Sequence, residues 1–279
     1  MILIADSGST KTHWCVVERG ALVSEIVTDG INPFYQTDLE IISLLNTQLI
    51  PKLETEDIDR IYFYGAGCSF PDKKIVVSRA LVRFFSNSMI EIQSDLLGAA
   101  RSLFQHGKGI ACILGTGSNS CYYDGKDIIK NVSPLGYILG DEGSGSVLGK
   151  IFVADCLKNQ LPSELKEKFM SQYSLTPELV LENVYKKPFP NRYLAQFTPF
   201  LLENIEEPYA FNLVFDCFDA FFVRNVMQYE LEDMPTGFVG SIAFHFKDVL
   251  EIVAMERGII ISEITQNPME GLMKFHSKN

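Results

Sequence analysis

The sequence predicts an α/β protein built from two similar domains, and three observations carry that prediction. Residues 1–106 read as βββαβαβα, three strands followed by alternating helices and strands. Residues 107–279 open on three more strands and close on a helix, a strand and a helix, so the order repeats around a helix-rich insert of about 144–233. A chain of 279 residues, 47% hydrophobic and 21% charged, has the composition and length to bury the cores of two such domains.

The elements follow from local pattern. Short apolar runs separated by turn residues give strands at Ile2–Ala5, His13–Glu18 and Ala21–Val27. Leu39, Ile41, Ile42, Leu45, Leu49 and Leu53 then fall at helical spacing behind the capping candidates Thr37 and Asp38, which predicts one helix. Next come a strand at 61–65, a helix over about 72–85, a strand at 89–93 and a helix over about 95–104. In the second half, strands are expected at 109–115, 118–123 and 127–132, with Asp124-Gly125-Lys126 turning between the last two. Pro162, Pro177, Pro188, Pro190, Pro199 and Pro208 divide the insert into several helices, the last long and aromatic from Tyr209 to Leu231. A strand at 237–240, a helix over 242–255, a strand at 258–263 and a short helix from Pro268 complete the chain. The domains are expected at 1–106 and 107–279, facing each other across a cleft, with the final helix, about 268–279, packed back on the first.

Composition excludes several classes of function. With 24 basic and 35 acidic residues the net charge is −11, which argues against nucleic acid or an anionic membrane as a partner. The six cysteines include no CxxC pair, and several lie in apolar runs, so a disulfide framework is not expected. The first residues, Met1-Ile2-Leu3-Ile4-Ala5-Asp6, lack a basic leader, and no apolar stretch approaches the roughly 20 residues of a membrane span, so the expected location is cytoplasmic. The four histidines, His13, His106, His245 and His276, are read as structural, without carboxylate or cysteine neighbours at ligand spacing.

Five segments carry chemistry. Asp6-Ser7-Gly8-Ser9-Thr10-Lys11-Thr12, between the first two strands, offers backbone N–H groups and hydroxyls to phosphate oxygens and a carboxylate that can hold Mg²⁺ through water. An ordinary polar hairpin has the same composition, but Gly115-Thr116-Gly117-Ser118-Asn119-Ser120 repeats the turn chemistry at the equivalent place in the second half, and the pairing favours a nucleotide site. Asp95 follows Gln93-Ser94 at a strand end, where it either caps the next helix or faces a ligand. Gly140-Asp141-Glu142-Gly143-Ser144 lies between apolar residues and a helix start, as a polar-ligand loop would. Gly240-Ser241, at another strand end, lets a flat ring such as adenine reach the backbone, though a plain helix start explains it equally. No P-loop, HExxH, GxSxG or helix-opening GxGxxG is present.

In this order and spacing, the segments from Asp6 to Thr12, Gly115 to Asn119, Gly140 to Ser144 and Gly240-Ser241 resemble the N-acetylglucosamine kinase branch of the BadF/BadG/BcrA/BcrD-type ATPases, within the sugar kinase, heat-shock protein and actin superfamily. The resemblance spans nearly the whole chain. It implies a duplicated ribonuclease-H-like (actin-like ATPase) fold that binds ATP and Mg²⁺ in the interdomain cleft. Carried over by residue, it makes Asp6 the Mg²⁺ carboxylate, Ser9, Thr10, Lys11 and Thr12 the first phosphate turn, and Thr116, Gly117 and Ser118 the second. Gly240 and Ser241 match the adenosine segment, and Asp95 the catalytic base. Asn32 and Asp141, with Asp95 and Gly117, match sugar-contacting positions. The implied activity is phosphorylation of an amino sugar, most simply N-acetylglucosamine to its 6-phosphate. Family ATPases that activate a dehydratase or reductase, and a sensor without turnover, are the alternatives. The chain departs from the family where Ser133-Pro134-Leu135-Gly136 replaces Gly-Gly-Trp-Gly. The aromatic insert between Tyr209 and Tyr229 belongs either to a homodimer interface or to the core.

Overall fold

The computed structural model describes residues 1–8, 10–55, 57–229 and 234–277. Two compact units emerge. The first comprises Met1–Gly109, Tyr123–Ile129 and Asn267–Asn279, and the second Ile110–Tyr122 and Lys130–Gln266.

The first unit is built on a five-stranded sheet of β1 (Ile2–Ser7), β2 (Lys11–Glu18), β3 (Ala21–Asp29), β4 (Arg60–Gly65) and β5 (Met89–Ser94), in the order β3-β2-β1-β4-β5. β1, β2 and β3 are antiparallel, as their tight turns allow, whereas β1, β4 and β5 run parallel through helical crossovers. Alternation divides the strands between two faces. Leu3, Ala5, Trp14, Val16, Ile61 and Phe63 face α1 (Asp38–Leu44) and α2 (Pro71–Val82), while Ile4, Cys15, Val17 and Tyr64 form a separate core with Met269 and Leu272. α3 (Asp95–Phe104) follows β5 directly.

A second sheet, which apart from Gly109, Tyr123 and Ile128–Ile129 belongs to the second unit, repeats the arrangement with β6 (Gly109–Leu114), β7 (Ser118–Tyr123), β8 (Ile128–Val132), β9 (Thr236–Val239) and β10 (Ile261–Thr265). Its order, β10-β9-β6-β7-β8, is that of the first sheet written in reverse, so both sheets place the first-occurring strand between the second and the fourth. β6, β9 and β10 are parallel. Two five-stranded sheets of one order, each joined by helices, are the duplicated α/β fold expected from the sequence. α4 (Gly136–Leu139) precedes the insert, which contains α5 (Gly145–Leu157), α6 (Ser163–Tyr173), α7 (Pro177–Tyr185), α8 (Pro190–Ala195), α9 (Thr198–Glu203) and α10 (Pro208–Arg224). α11 (Ser241–His245), α12 (Lys247–Glu256) and α13 (Met269–Ser277) close the chain, the last packing on the first unit's sheet.

Three elements differ from their sequence patterns. The helix read across Leu39–Leu53 is α only to Leu44; a π turn at Leu45–Leu49 and a 3₁₀ turn at Ile50–Lys52 follow, and Pro51 cannot supply the amide an α-helix would need. The helix read over 242–255 is broken at Phe246, which leaves helical geometry at φ −104°, ψ 26° and buries its ring in the second core. The long aromatic helix ends at Arg224 and passes into a 3₁₀ turn at Val226–Tyr229; its predicted extension to Leu231 lies outside the described residues. Phe218, Phe221, Phe222 and Tyr229 are buried in the second core, so core packing explains those aromatics. All six cysteines are buried and none is in a disulfide. Among the described residues no helix is long and apolar enough to cross a membrane.

Candidate functional site

The first unit gathers its candidate residues at the carboxyl ends of its parallel strands, where open α/β sheets collect ligands. The strand register puts Ser7, Gly65 and Ser94 in one terminal row of β1, β4 and β5, with Asp6 one residue below it and Asp95 just beyond it. Asp95 is the first residue of α3, behind Ser94, whose hydroxyl caps the helix by accepting from the Leu97 amide at 3.2 Å. The helix can approach because Gly98 lies flat on Tyr64: a Cβ there would sit 2.9 Å from the Tyr64 side chain. Tyr64 is held in turn, its hydroxyl 2.8 Å from both His276 Nε2 and Arg101, and Arg101 pairs with Glu91 at 2.9 Å.

Electrostatics separate these two carboxyls from the ordinary surface acids. Burial pushes Asp6 up to about 7, with the charge of Asp95 adding to the rise and Lys11 opposing it. Burial also raises Asp95 to about 6, against hydrogen bonds from the Leu96 and Asp95 amides, the former 2.9 Å from Oδ1. Neither residue is fully buried, so both retain an opening to solvent. Two desolvated carboxylates that repel each other favour a divalent cation, and the oxygen-only donor set suits a hard ion that keeps part of its water shell.

The β1–β2 turn closes with the Gly8 amide donating to the Lys11 carbonyl at 3.0 Å. Thr10 and Lys11 are exposed on it, whereas Ser9 lies outside the described residues. Thr12 is fully buried. Its hydroxyl is 2.7 Å from that of Ser7 and donates to the Asp29 carbonyl at 3.1 Å, while Ser7 bonds Ile31 through both backbone groups at 3.0 Å. Thr12 therefore fastens the turn to the segment leading into Asn32. That residue is buried, its Oδ1 accepting from the Phe34 amide at 3.0 Å and its amide donating to Gln36 at 2.7 Å.

The second unit makes a different cluster. The β6–β7 turn brings the Gly115 amide to the Gly117 carbonyl at 2.9 Å, and the carbonyls of Gly115 and Thr116 accept from Gly145 and Ser146 at the start of α5. Ser118 is buried, and its amide donates to Asp141 Oδ1 at 3.3 Å. Asp141 adopts a left-handed backbone (φ 55°), and its carboxyl is pushed up to about 6, chiefly by burial. A Cβ on Gly117 would lie 3.1 Å from that carboxylate, so the glycine leaves the approach open. Gly240, with φ 130°, has no room for a side chain, because a Cβ would strike the Leu114 carbonyl; Ser241 beside it is exposed. A cavity of 540 Å³ in the same unit is lined by Gly140 and Glu142 of the Gly140–Ser144 segment and by Lys150, Asp155 and Arg224 among others; Asp141, Gly117, Ser118, Gly240 and Ser241 do not line it.

The structure thus brings Asp6, Asp95 and Lys11 together in one unit and Gly117, Ser118 and Asp141 together in the other. Sequence reasoning missed Gly67. Its backbone is left-handed (φ 80°), and a side chain there would collide with Asn32 Oδ1 and come within 2.8 Å of Phe34. The strand-ending Gly65-Ala66-Gly67 was the available signal. It also missed Cys68, a buried thiol raised to about 12 by burial and by the charge of Asp95. The reading of His13 as having no ligand-spaced neighbour is corrected as well: His13 and Cys15 are two residues apart on one strand face, and Glu25 joins them from β3.

No family model matches the chain, and no curated protein does. Among solved structures, the chain is similar to a "Putative N-acetylglucosamine Kinase" from Porphyromonas gingivalis, with 48% identity, 100% of this chain and 99% of that one covered, and a TM-score of 0.97. A second structure of that description, from Chromobacterium violaceum, shares 15% identity over 99% of each chain with a TM-score of 0.74. A ROK hexokinase from Thermus thermophilus shares 14% identity over 98% of this chain and 96% of its own, with a TM-score of 0.58. The last two show the fold alone.

Proposed function

Because the chain belongs to the N-acetylglucosamine kinase-like branch of the BadF/BadG/BcrA/BcrD-type ATPases, as 48% identity over its whole length shows, we propose that it transfers the γ-phosphoryl group of ATP to an amino sugar in the cytoplasm. The sugar most consistent with the family is N-acetylglucosamine and the product its 6-phosphate. One observation supports the chemistry above the rest: a desolvated carboxyl, Asp95, stands at the end of β5 beside a second one, Asp6.

Phosphoryl transfer needs positioning and charge stabilisation more than covalent help. In this reading Asp95 accepts the proton of the attacking hydroxyl, while Asn32, Gly117 and Asp141 contact the sugar. A base of pKa about 6 is ionised at neutral pH and still basic enough to take a proton as the O–P bond forms. The turn Gly8–Lys11 and the segment Thr116–Ser118 offer amides and hydroxyls to the phosphates, with Thr12 bracing the first turn from beneath, and Gly240-Ser241 borders the adenosine. Asp6 would hold Mg²⁺ through water, the ion supplying charge neutralisation on the phosphates. The two domains of the reading are 1–106 and 107–279.

A coupled ADP-release assay over a panel of sugars tests the proposal. Turnover that rises severalfold with N-acetylglucosamine and yields the 6-phosphate supports it. Hydrolysis indifferent to every sugar would assign an ATPase instead, and nucleotide binding without turnover a sensor.

A further inference from the structure

We propose that His13, Cys15 and Glu25 form a binding site for a borderline-soft divalent cation of the Zn²⁺ class, distinct from the oxygen-only Asp6 and Asp95 pair. The three donors come from two hydrogen-bonded strands. His13 and Cys15 lie two residues apart on β2 and so share a face, and the register sets Glu25 of β3 directly opposite Cys15. Cys15 Sγ is 4.0 Å from His13 Nε2 and 3.9 Å from Glu25 Oε1, and His13 Nε2 is 3.6 Å from Glu25 Oε2. Among the described residues this is the one group of three His, Cys, Asp or Glu donors gathered within 4.8 Å of one another.

Those separations are near the edges of a coordination tetrahedron. Metal bonds of about 2.3 Å to sulfur and about 2.0–2.2 Å to nitrogen and oxygen, at tetrahedral angles, place ligand atoms roughly 3.4–3.6 Å apart. Glu25 meets Cys15 through Oε1 and His13 through Oε2, so closing on an ion takes a rotation that brings one carboxylate oxygen to both, from donor separations that lie within 4.8 Å. An imidazole, a thiolate and a carboxylate together favour Zn²⁺ over Mg²⁺ or Ca²⁺. Three protein ligands leave a fourth position for water, so the ion would be exchangeable.

Access and rigidity also fit. β2 is paired on both sides, and Cys15 is fully buried between Ile4 and Val17, so the sulfur is held in place. The side chains of His13 and Glu25 are 18% and 50% exposed, which gives an ion its route from solvent. In the metal-free protein the Cys15 thiol is pushed up to about 12 by burial first and by Glu25 second, so it stays protonated and unreactive. Binding exchanges that proton for the cation: the S–H bond breaks, the proton passes to solvent, and Glu25, which disfavoured the thiolate, becomes a ligand beside it.

The test is titration of the metal-free full chain with Co²⁺, a spectroscopic stand-in for Zn²⁺. The expected result is one equivalent bound, with a thiolate-to-cobalt charge-transfer band and tetrahedral ligand-field bands that Zn²⁺ abolishes. Cys15→Ser should lose the charge-transfer band. Glu25→Gln and His13→Gln change partly exposed side chains, and each should weaken Co²⁺ binding at least tenfold. A wild-type chain without a thiolate band overturns the site, as does a band that survives Cys15→Ser. If Cys15→Ser does not fold, unchanged affinity in both other variants is equally fatal.

Discussion

The two glycine-and-hydroxyl turns occupy the same place in two copies of one fold, and their surroundings are opposite. The turn after β1 carries its charge in the strand, at Asp6, and is fastened from below by buried hydroxyls, Ser7 and Thr12, leaving Thr10 and Lys11 exposed. The turn after β6 has Ile113 and Leu114 where the first has Asp6 and Ser7, and is fastened from the helix side, its carbonyls accepting from the first amides of α5. Its carboxylate, Asp141, arrives from a distant loop through the Ser118 amide. The two copies share a glycine-led turn at the same place but close it differently, Gly8 on Lys11 and Gly115 on Gly117, and they draw their carboxylates from different parts of the chain, Asp6 from the strand and Asp141 from a distant loop.

The largest effect should fall on the carboxylates that embody this asymmetry. Asp95→Asn keeps the size of the side chain and removes its basicity, so turnover should fall about 10²- to 10⁴-fold with nucleotide affinity nearly unchanged. Asp141→Asn keeps an acceptor for the Ser118 amide and should act mainly on the KM for sugar. Equal losses of kcat in both variants would break the division of labour.

Next is the cost of keeping Asp6 among protein atoms. A carboxyl whose pKa rises on folding, here from 3.8 to about 7, favours the folded state in its protonated form. That contribution is complete below about pH 3.8 and is lost as the pH climbs through about 7. Without divalent cations, Asp6→Asn should therefore stabilise the protein at pH 8, by on the order of 4 kcal/mol if the whole shift is expressed, and leave it unchanged near pH 4. Thermal unfolding at the two pH values with a chelator present is the measurement; a Tm difference independent of pH would contradict the assignment of burial as the cause.

A smaller effect distinguishes how each unit seats its site helix. In the second, Gly149 of α5 lies against the backbone of α8, and a Cβ would strike the Leu194 carbonyl; in the first, the atoms nearest a Cβ on Gly98 of α3 belong to the Tyr64 side chain. Backbone cannot yield as a side chain can. Gly149→Ala should cost about 1–3 kcal/mol by urea unfolding, net of its gain in helix propensity. Gly98→Ala should be milder in stability and yet displace Asp95, lowering kcat more than the denaturation midpoint suggests. The reverse ranking in stability would show that the Tyr64 network is the stiffer contact.

How much of this was legible depended on the range of the interaction. Ser94-Asp95 before an apolar run announced the start of α3 because capping is local, and the succession of strands and helices along each half could be read because each turn is local too. The Asp6–Asp95 coupling needed the parallel pairing of β1, β4 and β5, which no short window contains. The bend at Phe246 was hidden because burial of one ring outweighs the helical period around it. His13-Trp14-Cys15 was in plain sight, but its third member, Glu25, arrives only through the β2–β3 register.

The smallest predicted effect concerns the two serine caps. Ser94 accepts the Leu97 amide at 3.2 Å in a partly exposed position, so Ser94→Ala should cost about 1 kcal/mol, with water replacing the lost acceptor. Ser144 accepts the Val147 amide at 3.3 Å and lies 3.0 Å from the Ser146 hydroxyl, but it is fully buried. Ser144→Ala strands that amide out of reach of solvent and should cost nearer 2 kcal/mol. Thermal or urea unfolding of the two variants side by side measures the difference. It tests whether the second turn, which hangs its carbonyls on the amides of α5, depends on its helix start more than the first depends on α3; equal costs would mean that the neighbouring hydroxyl of Ser146 takes over the cap.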